Sequence, residues 1–397
     1  MSEALHVVIL AGGGGQRLWP WSRKDRPKPC LPLLNDRSLL KQTLDRASQL
    51  ATAQQIHLVA GPELVDWAEG CQFLEEAVSR NTAPAIISAV TEIAQRDPTA
   101  LVLVVPADHH VQDPDQYLQY IRNTIEKAAS APDRLWLFGT SAESDRAYGF
   151  IVPENLEPVS SVLEFVEKPA AADQPRLDDA GALRNCGVLL FRAQFLLDLV
   201  GATMLDDDSR SQSADSIPAI SFDHFLLSRP EIQPHLMVVR VDPIWHDLGS
   251  WPALRRWHDV DDQGNLRFQI DTSPIERIEP GSPISIRAEP SHLESDGVRQ
   301  LVLLGTGPLN LESVRDGVTV DMREGGEDPI ESGDSLSDCQ QLICLVEGEI
   351  AVQVISARGG LVAVSPDLVL VATEAEIGSG GLRDVLKVLE QREGECR

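Results

Sequence analysis

At 397 residues the chain is too long for one compact core, so two domains are expected. Apolar residues make up 43% and charged residues 24%, ordinary for a globular protein, and no apolar stretch approaches the roughly 18 to 20 residues of a membrane helix. A net charge of −27 opposes both nucleic acid and anionic membranes as partners.

His6–Leu10 reads as a buried strand that runs into Ala11–Gly15, a tight glycine loop. That apolar run is short and lacks a basic flank, so it is not a signal peptide, and a cytoplasmic location is expected. Pro27–Leu34 is extended or turn-like because of its three prolines. Ser38–Leu50 is expected as a helix, Gln55–Ala60 as a strand, and Glu63–Ser79 and Pro84–Gln95 as two more helices. Ala100–Val105 is wholly apolar, as in the centre of a parallel sheet. A helix at Tyr117–Ala129 and a strand at Leu135–Gly139 follow. The alternation over the first ~140 residues argues an α/β domain with helices on both sheet faces.

Strands then come closer together, around Phe150, Ser161–Val166, Gly187–Phe191 and Met237–Val241, with helices at Ala193–Val200 and Ser250–His258. After about Asp262 short alternating runs appear, at Gln300–Leu304, Leu342–Val346, Ala351–Ile355 and Leu368–Ala372. They suggest a small C-terminal β-rich domain closed by a helix at Leu382–Glu390. The expected boundaries are 1–262 and 263–397. Six scattered cysteines, none at zinc spacing, are read as free thiols.

The chemistry begins at Leu10-Ala11-Gly12-Gly13-Gly14-Gly15-Gln16-Arg17. Glycines after a buried strand let the backbone approach a ligand, with their N–H groups aimed at phosphate oxygens. Arg17 can reach the same phosphates and Lys28 can reach them from the far side. Around them Arg17, Arg23, Lys24, Arg26 and Lys28 form a basic island against one acid, Asp25, which suggests an anionic ligand. A Walker loop is excluded because Gln-Arg-Leu follows Gly15. A dinucleotide fingerprint is disfavoured because Leu18 stands where its third glycine belongs. Asn81 and Thr82 can bond a base edge or cap the helix that Pro84 begins; taken alone, capping is the better reading.

Gly-Gly-x-Gly-x-Arg-Leu-x-Pro, Ser22-Arg23, Pro27-Lys28 and Leu31-Pro32-Leu33 together resemble the signature of sugar-phosphate nucleotidyltransferases. Arg80-Asn-Thr-Ala-Pro-Ala-Ile86 is similar to a segment of the mannose-1-phosphate guanylyltransferases, where it helps recognise the nucleotide. Val105-Pro106-Ala-Asp108, Tyr148-Gly149, Phe165-Val-Glu167-Lys168-Pro169, Asn185-Cys-Gly-Val and Trp245-His-Asp247-Leu-Gly-Ser-Trp match the family in order. Cys186 and His246 stand where relatives have serine, and Cys30 where they often have an aromatic.

The resemblance implies a three-layer, Rossmann-like α/β domain with a mostly parallel mixed sheet, which transfers GMP from GTP to α-D-mannose 1-phosphate. The products are GDP-mannose and pyrophosphate. Leu10, Ala11, Gly12, Gly13, Gly15, Arg80, Asn81, Thr82, Pro106 and Asp108 fall on the nucleotide, and Arg17, Lys28 and Lys168 on the reacting phosphates. Tyr148, Gly149, Glu167, Lys168, Asn185 and, from a looser match at Ser221-Phe-Asp223, Asp223 fall on the sugar phosphate. Mg²⁺ is the expected cofactor, held by Asp108 and Asp247; His109 and His110 are read as structural, since imidazole is a poor magnesium ligand. A homodimer is among the assemblies the family allows. The alternatives are a transferase of another hexose 1-phosphate or nucleotide, and a sensor that binds sugar nucleotide without turnover.

Overall fold

The structure is a computed structural model that describes residues 4–13, 18, 22, 26–35, 37–141, 148–206, 217–241, 245–249 and 254, and eleven strands between residues 266 and 372. It divides into two compact units, Met1–Gly13 with Leu39–Asp247, and Gly14–Ser38 with Leu248–Arg397.

In the first unit the strands are β1 (Leu5–Leu10), β2 (Ile56–Ala60), β3 (Gln72–Glu75), β4 (Leu101–Pro106), β5 (His109–Val111) and β6 (Leu135–Ser141). They continue with β7 (Gly149–Pro153), β8 (Val159–Glu167), β9 (Leu183–Arg192), β10 (Leu236–Val241) and β11 (Trp245–Asp247). The helices are α1 (Leu39–Ala47), α2 (Thr82–Arg96), α3 (Pro114–Ser130), α4 (Gln174–Asp179) and α5 (Ala193–Asp206). Nine strands form one sheet in the order β3-β2-β1-β4-β9-β6-β10-β8-β7, and β5 pairs with β11 beside it.

β4 lies inside the sheet, parallel to β1 and antiparallel to β9, which is why every residue from Leu101 to Val105 is buried. Alternation along the strands separates two faces. Val8, Val102 and Val104 pack with Ile86, Ile87 and Val90 of α2 and with Leu196 and Val200 of α5. Val7, Leu103 and Val105 instead wall a small space with Thr43 and Ala47 of α1 and Leu118 and Ile121 of α3. Burying one such leucine or isoleucine contributes about 1.5–3 kcal/mol. α3 starts where Asp113 accepts from the Gln116 N–H at 2.9 Å and Pro114 takes the first turn.

Two expectations need correction. Glu63–Ser79 is not one helix: a 3-10 turn at Pro62–Trp67 precedes β3. Gly70 sits between them at φ 81, a left-handed conformation that ends helical winding, and β3 takes its register from β2, with Leu58 opposite Phe73. Second, the sheet is mixed but not mostly parallel. Among the described residues four of its pairings are parallel (β1–β2, β1–β4, β2–β3, β6–β10) and five are antiparallel (β4–β9, β6–β9, β8–β10, β7–β8, β7–β9). β9, which enters between β4 and β6 against both and also pairs with β7, accounts for three of the five; β8, against β7 and β10, accounts for the other two.

The described backbone of the second unit contains a six-stranded and a five-stranded sheet. Gln300–Leu304, Ala351–Ile355 and Leu368–Ala372 are strands with the expected bounds. Apart from Leu254, the helix expected at Ser250–His258 lies outside the described residues, as does the one at Leu382–Glu390. Among the described residues no helix is long and apolar enough to cross a membrane.

Candidate active site

The sheet order changes direction between β1 and β4: β2 and β3 extend to one side of β1, and β4 lies on the other. Open α/β sheets hold ligands beyond the carboxyl ends of strands at such a switch point. Leu10 pairs with Pro106 there, and the Ala107 N–H donates to the Leu10 carbonyl at 2.9 Å. Ala11–Gly13 and Ala107–Asp108 therefore leave the sheet side by side. Gly12 and Gly13 are exposed, and Asp108 is a third exposed.

Glu76 lies against the glycine loop, its Oε2 2.6 Å from where a Cβ on Gly12 would stand. Its Oε1 accepts from the Arg80 backbone N–H at 3.3 Å, and Ser79 Oγ donates to the Gly12 carbonyl at 3.1 Å. Burial raises the Glu76 carboxyl, while that N–H bond and the Arg80 charge pull it back. A cavity of about 330 Å³ opens here, lined by Glu76, Arg80, Val59, Leu74 and Pro84. Arg80 Nη2 donates to the Ile217 carbonyl at 2.5 Å. Asn81 holds φ 73 and caps α2, accepting from the Thr82 N–H at 2.9 Å. The Thr82 hydroxyl accepts from the Phe222 N–H at 2.8 Å, tying the start of α2 to the segment that carries Asp223.

The second cluster forms where β7, β8 and β9 meet the π-helical turn Asp223–Leu227. Gly149 pairs with Glu167 in a tight position: a Cβ would stand 2.7 Å from Phe165 Cζ and 2.9 Å from Glu167 Oε2, so those side chains would have to shift. Lys168 follows at φ 46, exposed, with Nζ 3.2 Å from Glu167 Oε1. The buried Asn185 amide donates to Asp223 Oδ1 at 2.7 Å, and its Oδ1 accepts from the Gly187 N–H at 3.1 Å. Both ends of Asn185 are thus fixed. Burial, then the Glu167 charge, pushes the Asp223 carboxyl up to about 6, against the pull of Lys168 and Asn185.

Between the clusters β11 pairs antiparallel with β5, setting the Asp247 backbone opposite His109 and one residue from Asp108. Trp245 donates to His109 Nδ1, and Arg184 stacks 4.8 Å from the Trp245 ring and 4.9 Å from that of Tyr148. Trp245 is buried packing that joins Tyr148 to β5. Lys28 lies buried in a 3-10 turn of the second unit. Arg17 and Gly15 lie outside the described residues, and the side chain of Asp247 is not described. Glu76 is the residue that sequence reasoning missed; its signal was an acid one residue past a strand whose local pattern reads as helix.

The Asp223 environment yields a stability prediction. Folding raises this carboxyl above its ordinary value of 3.8, so the protein loses stability as pH rises from about 4 through about 6. Asp223→Asn is therefore expected to melt above wild type at pH 8 and level with it at pH 4. Equal melting temperatures at pH 8 would contradict the environment described.

Residues 6–263 match the family "Nucleotidyl transferase", and the chain belongs to it. The chain is 31% identical over 296 residues to alginate biosynthesis protein AlgA of Pseudomonas fluorescens, covering 65% of this chain and 59% of that protein. It is 30% identical over 291 residues to mannose-1-phosphate guanylyltransferase RfbM of Salmonella typhimurium, covering 65% and 60%. It thus spans about three fifths of the length of these curated relatives. The crystal structure of mannose-1-phosphate geranyltransferase from Thermus thermophilus superposes with a TM-score of 0.69 at 24% identity, over 98% of this chain and 100% of that one. That likeness is one of fold.

Proposed function

We propose that the protein transfers GMP from GTP to α-D-mannose 1-phosphate, releasing pyrophosphate and forming GDP-mannose. The observation that carries this reading is the pairing of two polar clusters in one unit. One lies at the switch point, where a glycine loop meets an acid, and the other around Glu167, Lys168, Asn185 and Asp223. The catalytic domain is taken as residues 1–262, supported by a family match that ends at residue 263.

The reaction is an in-line displacement at the α-phosphate by a sugar-phosphate oxygen. That oxygen is already anionic, so the protein supplies position and charge rather than a general base. On this reading Leu10–Gly13 and Gly15 turn backbone N–H groups toward the triphosphate, Pro106 walls it, and Arg17 and Lys28 hold its charge. Lys168 draws in the sugar phosphate. Glu167 and Asp223 accept from sugar hydroxyls, Asn185 fixes Asp223, and Tyr148 and Gly149 form the wall beside them. Asp108 and Asp247 suit a hard divalent cation: both positions carry carboxylates, and the β5–β11 register sets the Asp247 backbone opposite His109, one residue from Asp108. Mg²⁺ held there would offset the negative charge of the triphosphate.

Guanine is the base this reading favours. It offers two adjacent donors, N1–H and N2–H, which one carboxylate accepts together; adenine has an acceptor at N1. Glu76 supplies that carboxylate beside the 330 Å³ cavity. Asn81, with Oδ1 turned to the Thr82 N–H, leaves its NH₂ to donate to guanine O6. Turnover with GTP, ATP, UTP and dTTP side by side tests the reading. GTP is expected to lead, and Glu76→Gln should cut kcat/KM for GTP by roughly 30-fold while sparing poor nucleotides. Preference for a pyrimidine nucleotide, or a Glu76→Gln loss equal for all four, would refute it.

A further inference from the structure

Two residues of α1 reach the turn that carries Asp108. The Thr43 hydroxyl lies 3.0 Å from the Leu39 carbonyl and 3.3 Å from the Ala107 carbonyl. Arg46 Nη2 donates to Thr43 Oγ1 at 2.7 Å and to the His109 carbonyl at 3.3 Å. The carbonyls before and after Asp108 are thus both held from one helix. Thr43 is 3% exposed and Arg46 8%.

We infer that Arg46 and Thr43 form a positioning clamp that fixes the Ala107–His109 turn and so aims the Asp108 carboxylate at the nucleotide phosphates. The inference rests on the role proposed for Asp108. A buried guanidinium is costly, by several kcal/mol, unless it is paired. Among the described residues no carboxylate lies at ion-pair distance from Arg46. Methionine would fill similar space without that cost, so what the guanidinium contributes is the set of oxygens it holds. Those oxygens belong to Thr43 and to the turn. A cavity of about 20 Å³, the size of one water, adjoins Arg46, Thr43 and His109 and leaves room for an additional bridge. Neither residue needs to touch substrate. A shift of about 1 Å in the aim of a reacting group costs on the order of 100-fold in rate, which sets the scale of the clamp.

The test compares Arg46→Met, Arg46→Lys, Thr43→Val and the Arg46→Met/Thr43→Val double variant in the full chain. Steady-state kinetics are measured with GTP, Mg²⁺ and mannose 1-phosphate, together with melting temperature and GTP affinity by calorimetry. Arg46→Met is expected to lower kcat roughly 30- to 100-fold, with both KM values and the GTP Kd within about threefold of wild type and the melting temperature nearly unchanged. Arg46→Lys, which can reach one carbonyl, should recover at least tenfold of that loss. Thr43→Val should cost about fivefold alone and add less than twofold to Arg46→Met, because linked residues are not additive. The clamp is overturned if Arg46→Met keeps kcat within threefold of wild type. It is also overturned if the loss follows destabilisation and lysine does not restore it, or if the two losses multiply. Should Arg46→Met fail to fold, Thr43→Val decides alone, an unchanged kcat sinking the clamp. Asp108→Asn is measured alongside. If it is inactive while Arg46→Met is normal, only the clamp fails; if it keeps full activity, the role of Asp108 and the clamp fall together.

Discussion

Asp108→Asn is expected to lower kcat roughly a thousandfold without unfolding the protein, the largest effect of any single change considered. Asparagine keeps the size of the side chain and removes only its charge. A carboxylate in this place should by itself repel the substrate. In a chain of net charge −27, an acid set beside a triphosphate raises the barrier unless a cation lies between them. Asp108 follows the interior apolar strand β4 at the switch point, a third exposed, one residue from the position where β11 brings Asp247. A carboxylate beside the proposed triphosphate site is what a bound divalent ion would account for. The loss of roughly 4 kcal/mol of transition-state stabilisation corresponds to the thousandfold. The divalent-ion concentration giving half-maximal rate should rise at least tenfold in the same variant. Titration of Mg²⁺ against rate checks both, and an unaltered requirement with unaltered kcat would remove Asp108 from the site.

Lys168→Ala should lower kcat/KM for mannose 1-phosphate roughly a hundredfold while GTP affinity stays within about twofold. Lys168 follows β8 at φ 46, a conformation costly for any residue with a Cβ. Alanine suffers the same strain, so this variant isolates the charge. Glycine does not suffer it: Lys168→Gly should melt higher than Lys168→Ala and be equally inactive. Strain of about 1–3 kcal/mol at one residue is typical of functional sites, where surrounding structure holds the chain in place. Glu167 adjoins Lys168, with Oε1 3.2 Å from the ammonium and its backbone paired with Gly149. Kinetics with varied sugar phosphate, and calorimetry with GTP alone, separate the two substrates. Equal losses for both would contradict the division of labour.

What could be read from the sequence was what local chemistry decides. Apolar runs such as Leu101–Val105 and Leu135–Phe138 are strands because burial on both faces leaves no polar side to show. The glycine loop, Asp108 and the Glu167–Lys168 pair were legible because each lies at the end of such a run. Features decided at a distance were not. Phe73 and Leu74 form a strand only because β2 offers its edge, so a helix over Glu63–Ser79 was a reasonable local reading and a wrong one. The antiparallel entry of β9 between β4 and β6 joins segments some forty to ninety residues apart in the chain. Asp223 gains meaning from Asn185, 38 residues earlier, and Glu76 from Gly12 across two strands.

The most direct test of the proposed activity is a single reaction containing the protein, GTP, Mg²⁺ and mannose 1-phosphate, with pyrophosphate and GDP-mannose quantified together over time. Both products are expected in equal amounts, and neither when either substrate is omitted. GTP binding without pyrophosphate release, or release that does not need the sugar phosphate, would contradict guanylyl transfer.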